Sequence, residues 1–178
     1  MKKFVFFDRD GTLIEHVHHL VDHKLVVLKP DLIESLSKLS ERGFYLGMVT
    51  NQSVISRGMA TIEDVQKINH VIENQLQEAG VSFELILICP HMKEDVCECR
   101  KPKTGLLNDL IQEKSIDFGN SFMVGDQSSD IQFGTNLGVK TAQVGLSSNL
   151  ESQADFLGHT LIDVVDWILR EDLKGCAI

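Results

Sequence analysis

Positive charge is scarce in this 178-residue chain: 17 Lys and Arg stand against 26 Asp and Glu, for a formal net charge of −9. Proteins that bind nucleic acid usually carry a basic stripe, so a phosphate backbone is not an expected partner. A small phosphorylated compound held by a few local cations remains compatible with that balance. Long apolar runs are missing as well. No stretch approaches the roughly 20 residues of a membrane span. The run Phe4–Phe7 behind Met1-Lys2-Lys3 is too short for the apolar region of a signal peptide, and Asp8-Arg9-Asp10 breaks it. These absences lead to the expectation of a cytoplasmic protein with no membrane partner. Disulfides are disfavoured in that compartment, so the four cysteines need another role. Internal repeats, low-complexity tracts and linkers are also lacking, and the length suits one domain, residues 1–178.

What is present is an alternation of apolar β-rich runs with helical patterns. Strands are predicted at Lys3–Phe7, Phe44–Thr50, Phe83–Ile88, Ser121–Val124 and Thr141–Val144. A helix over Asp31–Glu41 places Leu32, Ile33, Leu36 and Leu39 on one face. Thr61 can cap a second helix with Val65, Ile68, Ile72, Leu76 and Ala79 inward, stopped by Gly80. Further helices are predicted at Thr104–Lys114, around Asp130–Leu137 and at Leu161–Arg170. Unbroken apolar strands between helices indicate a parallel sheet covered on both faces, a Rossmann-like α/β three-layer sandwich. Ligands in such folds bind beyond the carboxyl ends of the strands.

Acids stand at those ends. Phe4–Phe7 runs into Asp8-Arg9-Asp10-Gly11-Thr12, and the fourth strand runs into Gly125-Asp126 with Asp130 beyond. Converging carboxylates repel at neutral pH. A hard divalent cation relieves the conflict, and magnesium is the usual one beside phosphate. Acids after strands also cap helices and fill turns, but the two patterns together point to a site.

The stretches DRDGTL, VTNQS, CRKPK and VGDQSSD, in this order, resemble the four motifs of the haloacid dehalogenase superfamily of phosphohydrolases across essentially the whole chain. The resemblance implies a capless phosphomonoesterase with Asp8 as nucleophile, forming an aspartyl-phosphate, and Asp10 as general acid and then base. It implies Thr50 and Lys101 around the phosphoryl oxygens, and magnesium held by Asp8, Asp126 and the backbone carbonyl of Asp10. Lys103 is the nearby rival to Lys101.

Cys89-Pro90-His91 and Cys97-Glu98-Cys99 supply three thiols and an imidazole within eleven residues. That is the donor set of a closed structural zinc site, Cys89, His91, Cys97 and Cys99. Such a zinc would pin a loop with little apolar content and deliver Arg100 and Lys101 to the phosphate. Within the superfamily this zinc-binding loop is similar to that of the heptose bisphosphate and histidinol phosphatases. The stretch Thr50-Asn51-Gln52-Ser53 looks more like the former. Gln127 departs from the lysine usual there and bears on substrate identity. The expected substrate contacts are Arg9, His16, His18, His19, Asn51, Gln52, Ser53, Arg100 and Gln127. Trp167 and Cys176 read as packing or surface.

The expected function is hydrolysis of a phosphorylated sugar or alcohol by a monomer, the 7-phosphate of a heptose bisphosphate first and histidinol phosphate as the alternative. A DNA 3′-phosphatase is weaker because of the acidic balance. A phospho-acceptor switch fits less well: its phosphorylated aspartate would end the third strand, where this chain has Cys89.

Overall fold

The computed structural model describes residues 1–113, 115–145 and 153–175. Six strands form one parallel sheet in the order β3-β2-β1-β4-β5-β6. They are β1 (Phe4–Phe7), β2 (Tyr45–Asn51), β3 (Leu85–Cys89), β4 (Phe122–Gly125), β5 (Lys140–Val144) and β6 (Phe156–Gly158). The helices are α1 (Leu32–Glu41), α2 (Ile62–Glu78), α3 (Asn108–Gln112), α4 (Ser128–Leu137) and α5 (Leu161–Gly175).

Alternation along β1 divides the core. Val5 and Phe7 face a cluster with Leu32, Leu36 and Leu39 of α1, Ile68, Ile72 and Leu76 of α2, and Val164, Val165 and Ile168 of α5. Phe4 and Phe6 face a second cluster with Leu107, Met123, Phe133 and Leu137. Both faces of β1 are therefore dry, which is why its sequence is continuously apolar. Trp167 does pack, stacking on Phe156 at 5.2 Å and meeting Phe122 edge-on at 5.6 Å.

Several boundaries differ from expectation. The single helix predicted over Thr104–Lys114 is a 3₁₀ turn, Gly105–Leu107, followed by the short α3. Gly105 presses on the neighbouring loop: its N–H donates to Glu98 O at 3.0 Å, and a Cβ there would stand 2.3 Å from the same oxygen. Strand β6 went unread because it has only three residues. Ile33 is 41% exposed rather than inward, lying off the stripe of Leu32, Leu36 and Leu39, and Ala79 is exposed at the C-cap of α2. Asn69 instead joins the buried face of α2. The expected helix end at Lys114 and the reading of Cys176 lie outside the described residues. The segments after β1 and β2 hold only turns, a 3₁₀ turn at His23–Leu25 and isolated bridges.

Candidate active site

The carboxyl end of β1 is fixed by its neighbour: Asp8 N donates to Val124 O of β4 at 2.9 Å. The chain then turns tightly, with the N–H groups of Leu13 and Ile14 both donating to Arg9 O at 2.9 and 3.1 Å. Gly11 makes the turn possible at φ +85°. It also admits Asp126, whose Oδ2 would lie 2.5 Å from a Cβ at this position.

Lys101 is buried beneath these acids. Its Nζ lies 2.7 Å from Asp8 Oδ1 and 2.8 Å from Asp130 Oδ1, and donates to Val49 O at 2.5 Å. Lys103, the rival, is exposed and bonds Glu98 and Cys97 O instead. Burial alone would lower the pKa of Lys101, but Asp8 and Asp130 outweigh it and raise it, so the cation persists. One lysine cannot fully compensate two buried carboxylates. Burial, aided by the charge of Asp8 and opposed by Lys101, pushes Asp130 up to about 7.

Asp126 is half-buried, and burial raises its carboxyl despite the Gln127 amide that donates to Oδ2 at 2.7 Å. Its Oδ1 is buried with no hydrogen-bond partner. Oxygens of Asp8, Asp126 and Asp130 lie within 4.8 Å of one another. An orphaned buried carboxylate oxygen in a three-acid cluster fits a hard cation. Asp130 is the least available of the three, since Oδ1 meets Lys101 and Oδ2 accepts from Gln127 N at 3.0 Å.

Asp10 stands apart from that cluster. Arg9 donates to it twice, Nε to Oδ2 at 3.1 Å and Nη2 to Oδ1 at 3.2 Å. Gln52 Nε2 reaches Asp10 Oδ2 and Thr50 Oγ1, both at 2.8 Å. Three of the expected substrate contacts are held by protein partners here. Arg9 has no exposed surface and serves Asp10 and Asn69. Gln52 is 5% exposed and braces Asp10 against Thr50. Asn51 commits its side chain to the backbone of Lys101, accepting from its N at 3.0 Å and donating to its O at 3.3 Å.

Ser53 is half-buried, and His16 is exposed and close enough to Asp126 to favour its charged form. The rings of His18 and His19 lie 3.9 Å apart. Burial lowers the pKa of His19, as do the nearby charges of His18 and Arg57. Gln127 is exposed. Arg100 Nη1 donates to His91 O at 2.8 Å, which ties it to the cysteine loop.

In that loop the donors of Cys89, His91, Cys97 and Cys99 lie within 4.8 Å of one another. The sulfurs of Cys89 and Cys99 are 3.1 Å apart, far beyond the about 2.05 Å of a disulfide. Cys89 is pushed up to about 12 by burial and by the adjacent Cys99 thiol. Three crowded thiols and an imidazole are the soft donor set that suits zinc. Asn69 and the bracing role of Arg9 escaped the sequence reading. The one available signal was an Asn on the apolar stripe of α2.

A family model described as polynucleotide kinase 3 phosphatase matches residues 3–156. The D-glycero-β-D-manno-heptose-1,7-bisphosphate 7-phosphatase of Haemophilus ducreyi is 35% identical over 182 residues, covering 94% of this chain and 98% of that protein. The histidine biosynthesis bifunctional protein of Blochmanniella floridana is 38% identical over 144 residues, or 78% of this chain. The match takes in only 40% of that relative's length. The crystal structure of D,D-heptose 1,7-bisphosphate phosphatase from B. bronchiseptica, complexed with magnesium and phosphate, superposes with a TM-score of 0.85. It covers 95% of this chain and 99% of that one at 24% identity, a likeness of fold.

Proposed function

The chain belongs to the polynucleotide kinase 3 phosphatase family of the haloacid dehalogenase superfamily, and we propose that it is a magnesium-dependent phosphomonoesterase working through an aspartyl-phosphate. Its preferred substrate on this reading is D-glycero-D-manno-heptose 1,7-bisphosphate, from which it removes the 7-phosphate. The observation that carries the chemistry is the buried array of Asp8, Lys101 and Asp130 at the end of β1. The end-to-end match with the heptose phosphatase of H. ducreyi supports the substrate. Residues 1–178 then act as one catalytic domain, a cytoplasmic monomer.

In this mechanism a carboxylate oxygen of Asp8 attacks phosphorus while the bond to the leaving oxygen breaks. Asp10 delivers its proton to that oxygen. Asp10, now a carboxylate, takes a proton from water, the water oxygen attacks the phosphoryl group, and the bond to Asp8 breaks to restore the enzyme. Lys101 places positive charge beside the transferring oxygens, and Thr50 contributes its hydroxyl. Magnesium held by Asp8, Asp126 and the Asp10 carbonyl supplies further charge against the repulsion between carboxylate and phosphate. Zinc at Cys89, His91, Cys97 and Cys99 ties down the loop that carries Arg100 and Lys101.

Histidinol phosphate is the second reading, favoured by the 38% identity to the bifunctional relative. The net charge of −9 argues against a 3′-phosphorylated nucleic acid. The test is turnover side by side on heptose bisphosphate, histidinol phosphate and a 3′-phosphorylated oligonucleotide. The heptose reading requires the highest kcat/KM on the first and fails if either of the others exceeds it.

A further inference from the structure

We propose that Asn69, buried on α2, is a positioning residue for proton transfer that acts through Arg9 on Asp10. The inference rests on the reading of Asp10 as general acid and base. Asn69 is 3% exposed on the inward face of α2, beside Ile68 and within a turn of Ile72, a face whose other buried residues are all apolar. Its Nδ2 is buried without a hydrogen-bond partner, which costs stability. Its Oδ1 accepts from Arg9 Nη1 at 3.1 Å. The amide orientation follows from the donor it meets: the flipped rotamer would set an N–H against a guanidinium N–H. The position therefore answers a need of Arg9 rather than of the core.

Arg9 in turn has no exposed surface and spends Nε and Nη2 on the Asp10 carboxylate. A guanidinium is planar, so fixing Nη1 fixes the direction in which Nε and Nη2 point. Gln52 Nε2 closes the clamp from the other side, on Asp10 Oδ2. Oδ2 thus accepts from both Arg9 Nε and Gln52 Nε2 and also lies 3.0 Å from Arg9 Nη2, while Oδ1 accepts from Nη2 at 3.2 Å. Oδ1 is the oxygen with room for the travelling proton. The side chain of Asp10 keeps 22% of its surface exposed. Without Asn69 the guanidinium keeps its charge but loses one of its anchors, and the carboxyl it carries loses its aim.

A misaimed proton donor has a signature that loss of structure does not. An alkyl phosphate needs its leaving oxygen protonated, whereas p-nitrophenyl phosphate releases a stable phenolate. The quantity to compare is kcat/KM, which reports the steps through departure of the leaving group. It is measured on the full-length, magnesium-loaded protein with glycerol phosphate and p-nitrophenyl phosphate. Asn69→Leu, an apolar near-isostere suited to the core face, is expected to lower kcat/KM on glycerol phosphate about 10- to 100-fold, the scale of a misplaced catalytic group. On p-nitrophenyl phosphate the fall should stay under about 3-fold, since general-acid assistance is then dispensable. Asn69→Asp keeps the acceptor and should restore the alkyl substrate to within a few-fold of wild type. Asn69→Ala gives the same comparison if the leucine variant fails to fold. Asp10→Asn on the same pair separates the two claims. If it shows the alkyl-selective loss and the Asn69 variants do not, the inference about Asn69 is overturned while the reading of Asp10 stands. If Asp10→Asn impairs both substrates alike, or neither, the reading of Asp10 falls and takes the inference with it. Equal losses on both substrates in a folded Asn69→Leu or Asn69→Ala protein also overturn the inference.

Discussion

Replacing Lys101 by Met should injure both folding and turnover, and the size of the injury follows from the burial of the site. Methionine keeps the length and most of the volume of the side chain, so no large cavity opens. What disappears is the charge 2.7 Å from Asp8 and 2.8 Å from Asp130, whose side chains are 11% and 2% exposed. Removing one partner of a buried ion pair costs about 3–5 kcal/mol. For a chain of this size each kcal/mol moves the melting temperature by about 2–4 °C, so the variant should melt roughly 6–20 °C lower. The deficit depends on pH. Asp130 has a folded pKa of about 7 against an ordinary 3.8, so the folded state holds a proton there that the unfolded state releases. Its contribution to stability therefore falls as pH rises from about 4 to 7. Loss of Lys101 raises the folded value further and extends that fall above 7. In chelator-treated protein the gap between variant and wild type should be smaller at pH 5 than at pH 8. Turnover of the magnesium-loaded variant should drop by about 10²–10³-fold, as when one donor to a developing charge is removed. Thermal melts at the two pH values with steady-state assays decide the matter. A variant that melts with wild type at both pH values, or retains its turnover, would refute the reasoning.

Metal analysis of protein purified without chelator should find about one zinc per chain, and Cys97→Ser or Cys99→Ser should lose it and melt lower. Zinc-stripped protein should also turn over more slowly, because the loop between the cysteines and Pro102 carries Lys101. Gln127→Ala removes the 2.7 Å bond that orients Asp126 and should weaken magnesium binding about 10-fold in calorimetry. That is the lower end for an outer-shell partner, chosen because Gln127 is exposed. Arg9→Met should be among the most destabilising single changes, by about 3–5 kcal/mol in urea, since it strips the carboxylate of Asp10 of a buried partner.

The strand scaffold and the acids were legible in the sequence because each carried a local signal. Four consecutive apolar residues ending on Asp8 mark a buried parallel strand, and the pattern that follows names its chemistry. The cysteine cluster was legible from spacing alone. Lys101 could be preferred to Lys103 only through resemblance, since its pairing with Asp8 spans 93 residues of chain. The protein partners of Arg9 were not legible for a related reason. An Arg between two acids looks like a surface cation until the fold supplies Asn69 from another element, 60 residues away. The apolar period of α2 lists the buried positions but is silent about a polar residue that shares them. The helix expected over 104–114 failed because its start is pressed against Glu98, a constraint local propensity does not encode.

The claim on which the account turns is that phosphate passes through Asp8. Asp10→Asn protein mixed with p-nitrophenyl phosphate and quenched in acid after a few milliseconds isolates that step, because the leaving phenolate needs no proton while the second step lacks its base. Peptide mapping by mass spectrometry should find one phosphoryl group, on the peptide that carries Asp8, and Asp8→Asn introduced into the same background should abolish it. A phosphoryl group on Asp126 or Asp130, or labelling that survives the Asp8→Asn change, would contradict the account.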